Sequence, residues 1–229
     1  MYLPSIIQDN AAAIRNLNVD EQDVHFNRDS WQRRIPDFDD IIENLSGDTI
    51  SRQQIFDRFT GISPRLATCD LTLQTELRRL FVWAMLWGYG LRGYGPFRVA
   101  RMLDTPNLDQ ILCQSSEECY YGMFLMAYDS LNSGVKNLGP AFATKFLYFL
   151  SKSLTHAIKP LIFDSVVVAT LRQFEWPDWV PNYLARGTTP LPTSRAYGQY
   201  LILLHNWASA IGCRPDQLEY FLWKRNMSR

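Results

Sequence analysis

The stretch Asp129–Leu150, DSLNSGVKNLGPAFATKFLYFL, decides the reading of the fold. Its apolar residues recur every three or four positions on both sides of a short break, which is the period of an α-helix and not of a strand. The break, Gly134 to Pro140, holds the turn Asn137-Leu138-Gly139. Asn tolerates the left-handed backbone that a tight turn demands, Leu138 can plug the gap between two helices, and Pro140 suits a first helical turn. A helix, a hairpin and a second helix are therefore expected over 131–150. Amides left free at the start of the second helix suit a phosphate, through hydrogen bonds and the helix dipole. A plain helical hairpin without a ligand fits the same residues.

Outward from there the same period continues, in Leu71 to Trp87, Cys119 to Leu131 and Tyr197 to Ile211. No stretch alternates as a strand does. The doubtful piece is LIFDSVVV, Leu161 to Val168, whose β-branched residues favour a strand. Asp164-Ser165 in its middle is also a good helix cap, and a capped helix is the expectation. Breaks are expected at Ser63-Pro64, Gly88 to Pro96, Lys159-Pro160 and Trp176 to Pro192. With 229 residues and 47% apolar content, the chain is expected to be all-α, as one compact helical domain or two helical subdomains around a cleft.

Composition narrows the function classes. No run of about 18 uncharged apolar residues appears, and Met1 to Asn10 lacks the features of a signal peptide, so a cytoplasmic protein with no membrane partner is expected. The cysteines, Cys69, Cys113, Cys119 and Cys213, have no metal-ligand spacing and read as reduced core thiols. The three histidines are dispersed, and no metal is assigned to side chains. Net charge is zero, which argues against a nucleic-acid partner until its distribution is considered. Residues 1–50 carry ten acids and four bases, and the remainder nineteen bases and thirteen acids. An acidic leader with helices, 1–50, is thus expected before a basic body, 51–229. In that body Arg78, Arg79, Arg92, Arg98 and Arg101 surround an aromatic segment, a combination suited to phosphates and bases as well as to a plain solvated surface.

Two motifs remain. Gly88-Tyr-Gly90-Leu-Arg-Gly93 fits the GxGxxG pattern of dinucleotide sites, but that pattern needs a preceding strand, and LRRLFVWAMLW is an amphipathic helix. The glycines instead let a tight connection pass close to something. Lys145, on the second hairpin helix, borders the apolar face of Phe142, Phe146 and Phe149, as a lysine snorkelling over the core would. Asp164 follows nineteen residues later, where a plain N-cap would stand.

Hairpin, lysine, short loop, proline and aspartate follow one another in an order that resembles the helix-hairpin-helix DNA glycosylases. NLGPAFATKFLYF and PLIFDSVVVATL resemble the archaeal GO-type and related 8-oxoguanine glycosylases, and AYGQYLILLHNWASAIGCRPDQLEYFLWK is similar to the final helices of the family, so most of the chain is covered. The resemblance implies that Lys145 attacks the sugar, with or without strand cleavage as an AP lyase, and that Asp164 assists. Its implied partner is double-stranded DNA containing a modified base, gripped by Asn137, Leu138 and Gly139 with Arg98 and Arg101. No cofactor and a monomer are expected. A flipped-out base needs an aromatic pocket, for which Phe149 and Trp207 are the candidates.

There are departures. Asn137 stands where the family has the first hairpin glycine, and Lys145 lies one helical turn further from the hairpin than in the commonest pattern, which would put Ala141 at the lysine position. In that register water would be the nucleophile, and Asp164 serves either mechanism. The substrate implied is 8-oxoguanine. LWGYGLRGYGPF and the acidic leader leave open a similarity to stand-alone bacterial glycosylases of phage defence, which remove hypermodified bases such as glucosylated hydroxymethylcytosine. A non-catalytic helix-hairpin-helix DNA-binding module and a helical scaffold are the readings from other classes.

Overall fold

A run that is apolar on every side can be a stable helix only when it is surrounded by protein, and two such runs organise this molecule. The computed structural model describes residues 2–42, 45, 47–62, 65–174 and 184–227. Among them are thirteen helices: α1 (Ser5–Asp9), α2 (Ala11–Arg15), α3 (Arg28–Gln32), α4 (Phe38–Ile41), α5 (Arg52–Thr60), α6 (Leu71–Tyr89), α7 (Gly95–Leu103), α8 (Leu108–Tyr120), α9 (Phe124–Gly134), α10 (Pro140–Leu150), α11 (Ser165–Leu171), α12 (Ser194–Ile211) and α13 (Pro215–Met227). The fold is all-α, as expected. α6 buries every residue from Leu80 to Trp87, and α10 every residue from Ala143 to Leu150. These two helices pack on each other, with α5 against both.

Between them lies the aromatic centre of the core. Phe56 and Phe59 of α5 meet Phe146 and Phe149 of α10 at 5.4 to 6.2 Å between ring centroids. Each buried ring contributes about 1.5–3 kcal/mol by leaving water, which makes this cluster the anchor for α10. The core is one contiguous body. From the acidic first fifty residues Ile7, Ile14, Phe26, Trp31, Phe38 and Ile50 enter it.

Helix starts follow the sequence signals. Asp70 accepts the Leu73 amide at 2.7 Å to cap α6, Ser51 and Gln54 form a capping box on α5, and Thr193 caps α12. In the segment 161–168 the expected capped helix begins at Ser165, with Asp164 as N-cap of α11, while 161–163 lie outside any helix or strand. At the hairpin Asn137 is in the left-handed region, with φ of 61°, and Leu138 is buried between the helices.

Four strands were not anticipated. β1 (Asp23–His25) pairs antiparallel with β2 (Thr49–Ser51), setting Val24 opposite Ile50, and β3 (Ala185–Arg186) pairs with β4 (Thr189–Pro190). At two or three residues each they are too short for alternation to register. The reading of all four cysteines as reduced thiols is corrected for two. Cys69 and Cys113 form a disulfide, their Cα atoms 5.7 Å apart, while Cys119 and Cys213 are free. The pair has no spacing signature because only the packing of α6 on α8 brings its halves together. The expected break at Ser63-Pro64, and the 176–183 part of the Trp176–Pro192 loop, lie outside the described residues. No described helix is long and apolar enough to cross a membrane.

Candidate active site

Helical side chains lean toward the helix N-terminus, so Lys145, in the second turn of α10, points back along the helix toward the hairpin. Its ammonium donates to Ala141 O at 3.4 Å and lies 5.1 Å from the centre of the Phe142 ring. The side chain is only 8% exposed. Opposite it, Asp164 divides its carboxylate between two tasks. Oδ1 accepts the amides of Val166 and Val167 at 3.0 and 3.1 Å, starting α11, and Oδ2 faces Lys145 Nζ at 3.5 Å. The amine and the acid are thus brought together from two elements joined only by a turn and an extended stretch.

Burial holds the Lys145 ammonium below the ordinary lysine value. The Asp164 and Glu219 carboxylates oppose that fall, and Arg92 adds to it. The direction is the one an amine nucleophile requires.

The pair opens into a cavity of about 550 Å³. Trp87 and Tyr89 at the end of α6, Phe142 of α10 and Trp223 of α13 give it aromatic sides, with Tyr89 and Phe142 stacked at 4.0 Å. Residues Gln22 to His25 close another side, and exposed Leu91 and Arg92 stand at its margin. Ala141, where the commoner family register puts the lysine, lines the same cavity without a reactive group.

Behind the pair lies a buried polar network. Glu219 accepts the Ile162 amide at 2.7 Å and meets Arg52 at 3.5 Å; burial pushes its carboxyl up to about 7, with Arg52 and the Ile162 amide working against the rise. Arg52, fully buried, also donates to Gln22 Oε1 at 2.7 Å and to the Tyr148 hydroxyl at 2.9 Å, and its guanidinium lies 4.9 Å from the Trp87 ring centre. A guanidinium only donates, so each of these acceptors is fixed in orientation by it.

The expected DNA contacts are arranged as follows. α10 begins at Pro140, which has no N–H, with Gly139 as N-cap and no side-chain cap; Gly139 O takes the Phe142 and Ala143 amides at 3.0 Å, which leaves the Ala141 amide for a phosphate. Arg98 and Arg101 are exposed on α7, lying 4.9 Å from the Tyr94 ring centre and 4.5 Å from that of Phe97. Arg78, by contrast, is tied to Asp109 at 3.1 Å and to Leu103 O at 2.9 Å.

The two expected pocket residues are corrected. Phe149 and Trp207 are fully buried, and neither lines the cavity. Because Lys145 leans back toward Ala141, Phe149 sits one turn deeper, packed against Phe56, Phe59 and Trp87. Trp207 lies under the N-terminal segment and donates to Tyr2 O at 2.7 Å. The rings that do line the site, and the Arg52–Glu219 pair, were missed. One signal was available: Glu219 and Trp223 are one helical turn apart in an otherwise apolar segment, so they share a face.

A family model described as “OGG: Putative 8-oxoguanine DNA glycosylase OGG-like protein” matches residues 17–223, which takes in every residue of the cavity. No curated protein and no solved structure matches the chain.

Proposed function

We propose, from the premise that the chain belongs to the OGG-like 8-oxoguanine DNA glycosylase family, that it excises a modified base, 8-oxoguanine, from duplex DNA with Lys145 as nucleophile and Asp164 beside it. The observation that carries this is the 3.5 Å approach of Lys145 Nζ to Asp164 Oδ2 at the wall of an aromatic-sided cavity. A base cannot be cut from its sugar inside the stack, so the nucleotide must be extruded. The four rings around the cavity would receive it, and the network of Gln22, Arg52 and Glu219 would face its polar edge.

The chemistry follows from the pair. Neutral Lys145 forms a bond from its lone pair to C1′ as the C1′–N bond breaks; the base leaves with that electron pair and takes up a proton. Positive charge growing on the sugar is stabilised by ionised Asp164 Oδ2, held in place because Oδ1 is committed to α11. The nitrogen then loses one proton and O4′ takes one up as it leaves with the C1′–O4′ electron pair, opening the ring to a protonated Schiff base; loss of a C2′ proton, with the 3′ phosphate departing with the C3′–O pair, gives AP lyase cleavage. The hairpin Asn137-Leu138-Gly139, with Arg98 and Arg101, would hold the backbone on either side.

The test is a panel of duplexes, each with one modified base, with alkaline cleavage reporting abasic sites and borohydride reporting the Schiff base. Release of 8-oxoguanine and a trapped adduct that vanishes in Lys145→Gln are expected. Trapping that survives the substitution removes Lys145 from the role. Salt-sensitive duplex binding with no abasic product would make this a binding module, and release confined to glucosylated hydroxymethylcytosine would make it an enzyme of phage defence.

A further inference from the structure

Gly88 is one of the least favourable ordinary residues for a helix interior, yet it stands one residue before the end of α6, at the crossing with α10. A Cβ built there would lie 2.8 Å from Lys145 Cδ and 2.8 Å from Phe142 Cε1. Both approaches are closer than non-bonded carbons tolerate, so one neighbour would have to move. Phe142 is stacked on Tyr89 at 4.0 Å. The lysine stem is the part free to give way, and the space open to it is the cavity.

We infer that Gly88 is a positioning residue for the reaction: its missing side chain is the slot in which the Lys145 stem lies, and the slot keeps the amine buried and within reach of Asp164. This gives the Gly88-Tyr-Gly90 motif a use that dinucleotide binding does not supply. Gly90 does the same for the opposite wall, since a Cβ there would lie 3.1 Å from His25 O and closer still to the Val24 side chain. The inference rests on Lys145 being the attacking amine.

Gly88→Ala adds one methyl group and raises helix propensity, so α6 itself favours the change and its cost falls on the neighbours that the methyl displaces. Displacing the stem into the cavity rehydrates the amine, and rehydration returns its pKa toward the ordinary lysine value. Borohydride trapping on abasic-site duplex should therefore fall at least about tenfold at pH 7, with the amine limb of its pH profile moved up by about one unit. Duplex affinity should stay within about twofold, because the groups proposed to grip DNA are untouched. Gly61→Ala, where an added Cβ meets nothing within 4 Å, serves as control and should behave as wild type.

Should Gly88→Ala fail to fold, Gly88→Ala in a Phe142→Leu background removes one of the two collisions, and Phe142→Leu alone is then the reference for the same comparison. Lysine-dependent trapping whose rate and pH profile are indifferent to the alanine overturns the inference and leaves the proposed function standing. Trapping that persists in Lys145→Gln overturns both, because no amine is then left for Gly88 to place.

Discussion

Asp164 shows how one side chain can be taken apart by substitution. In Asp164→Asn the amide oxygen can still accept from Val166 and Val167, so α11 keeps its cap and stability should change by less than about 0.5 kcal/mol. The charge facing Lys145 is gone, and base release should fall about 10²–10³-fold. Asp164→Ala should lose the same activity and about 1 kcal/mol of stability besides; single-turnover rates and denaturant melts of the two variants separate the roles. Glu219 provides a second test. Its carboxyl sits at about 7 when folded, against an ordinary 4.5. Between those values the native state holds a proton that the unfolded chain has lost, so this group makes stability fall as pH rises through that window. Glu219→Gln keeps an acceptor for the Ile162 amide and should flatten that part of the stability profile; an unchanged slope in melts from about pH 4.5 to about pH 7.5 would show that another group is responsible.

At the scale of elements, the hairpin and the α7 segment, both proposed to grip DNA, are open to different tests. Leu138 is 4% exposed, and Leu138→Ala should cost about 2–5 kcal/mol by leaving a void between α9 and α10. Asn137→Gly should be tolerated, since φ of 61° suits glycine better than any side chain. Arg98 and Arg101 are exposed, so replacing both by alanine should lower the slope of log K against log salt by about 0.9 for each phosphate that is no longer neutralised. A slope that does not change places α7 away from the backbone. What was legible in the sequence divides along the same line. The hairpin, the α10 lysine and the Asp164 cap each rest on a few neighbouring residues, and local chemistry exposes them. Phe149 and Trp207 were misplaced because α10 and α12 are apolar on more than one side, and spacing alone cannot say which ring faces a void. Glu219 at least shares a helix face with Trp223, but its pairing with Arg52, 167 residues away, leaves no local trace.

The whole molecule is tied by two long-range devices, the single core and the Cys69–Cys113 bridge. The bridge closes a loop of 44 residues that contains α6 and α7. In the chain-entropy account such a closure contributes about 4 kcal/mol, so reductant should lower the melting temperature while Cys69→Ser melts alike with or without it. A melting curve indifferent to reductant would mean that the bridge contributes nothing to stability. The outline of the cavity has a different consequence. Its walls join residues 22–25 to Glu219 and Trp223, almost two hundred residues later. Synthesis proceeds from the first of these to the last, so a ribosome-bound chain that has already formed the hairpin, the lysine and the aspartate still lacks one wall of the cavity. Competence should arrive in one step, when α13 leaves the exit tunnel and docks, and a stop codon placed before Glu219 should silence the protein while leaving the preceding helices intact.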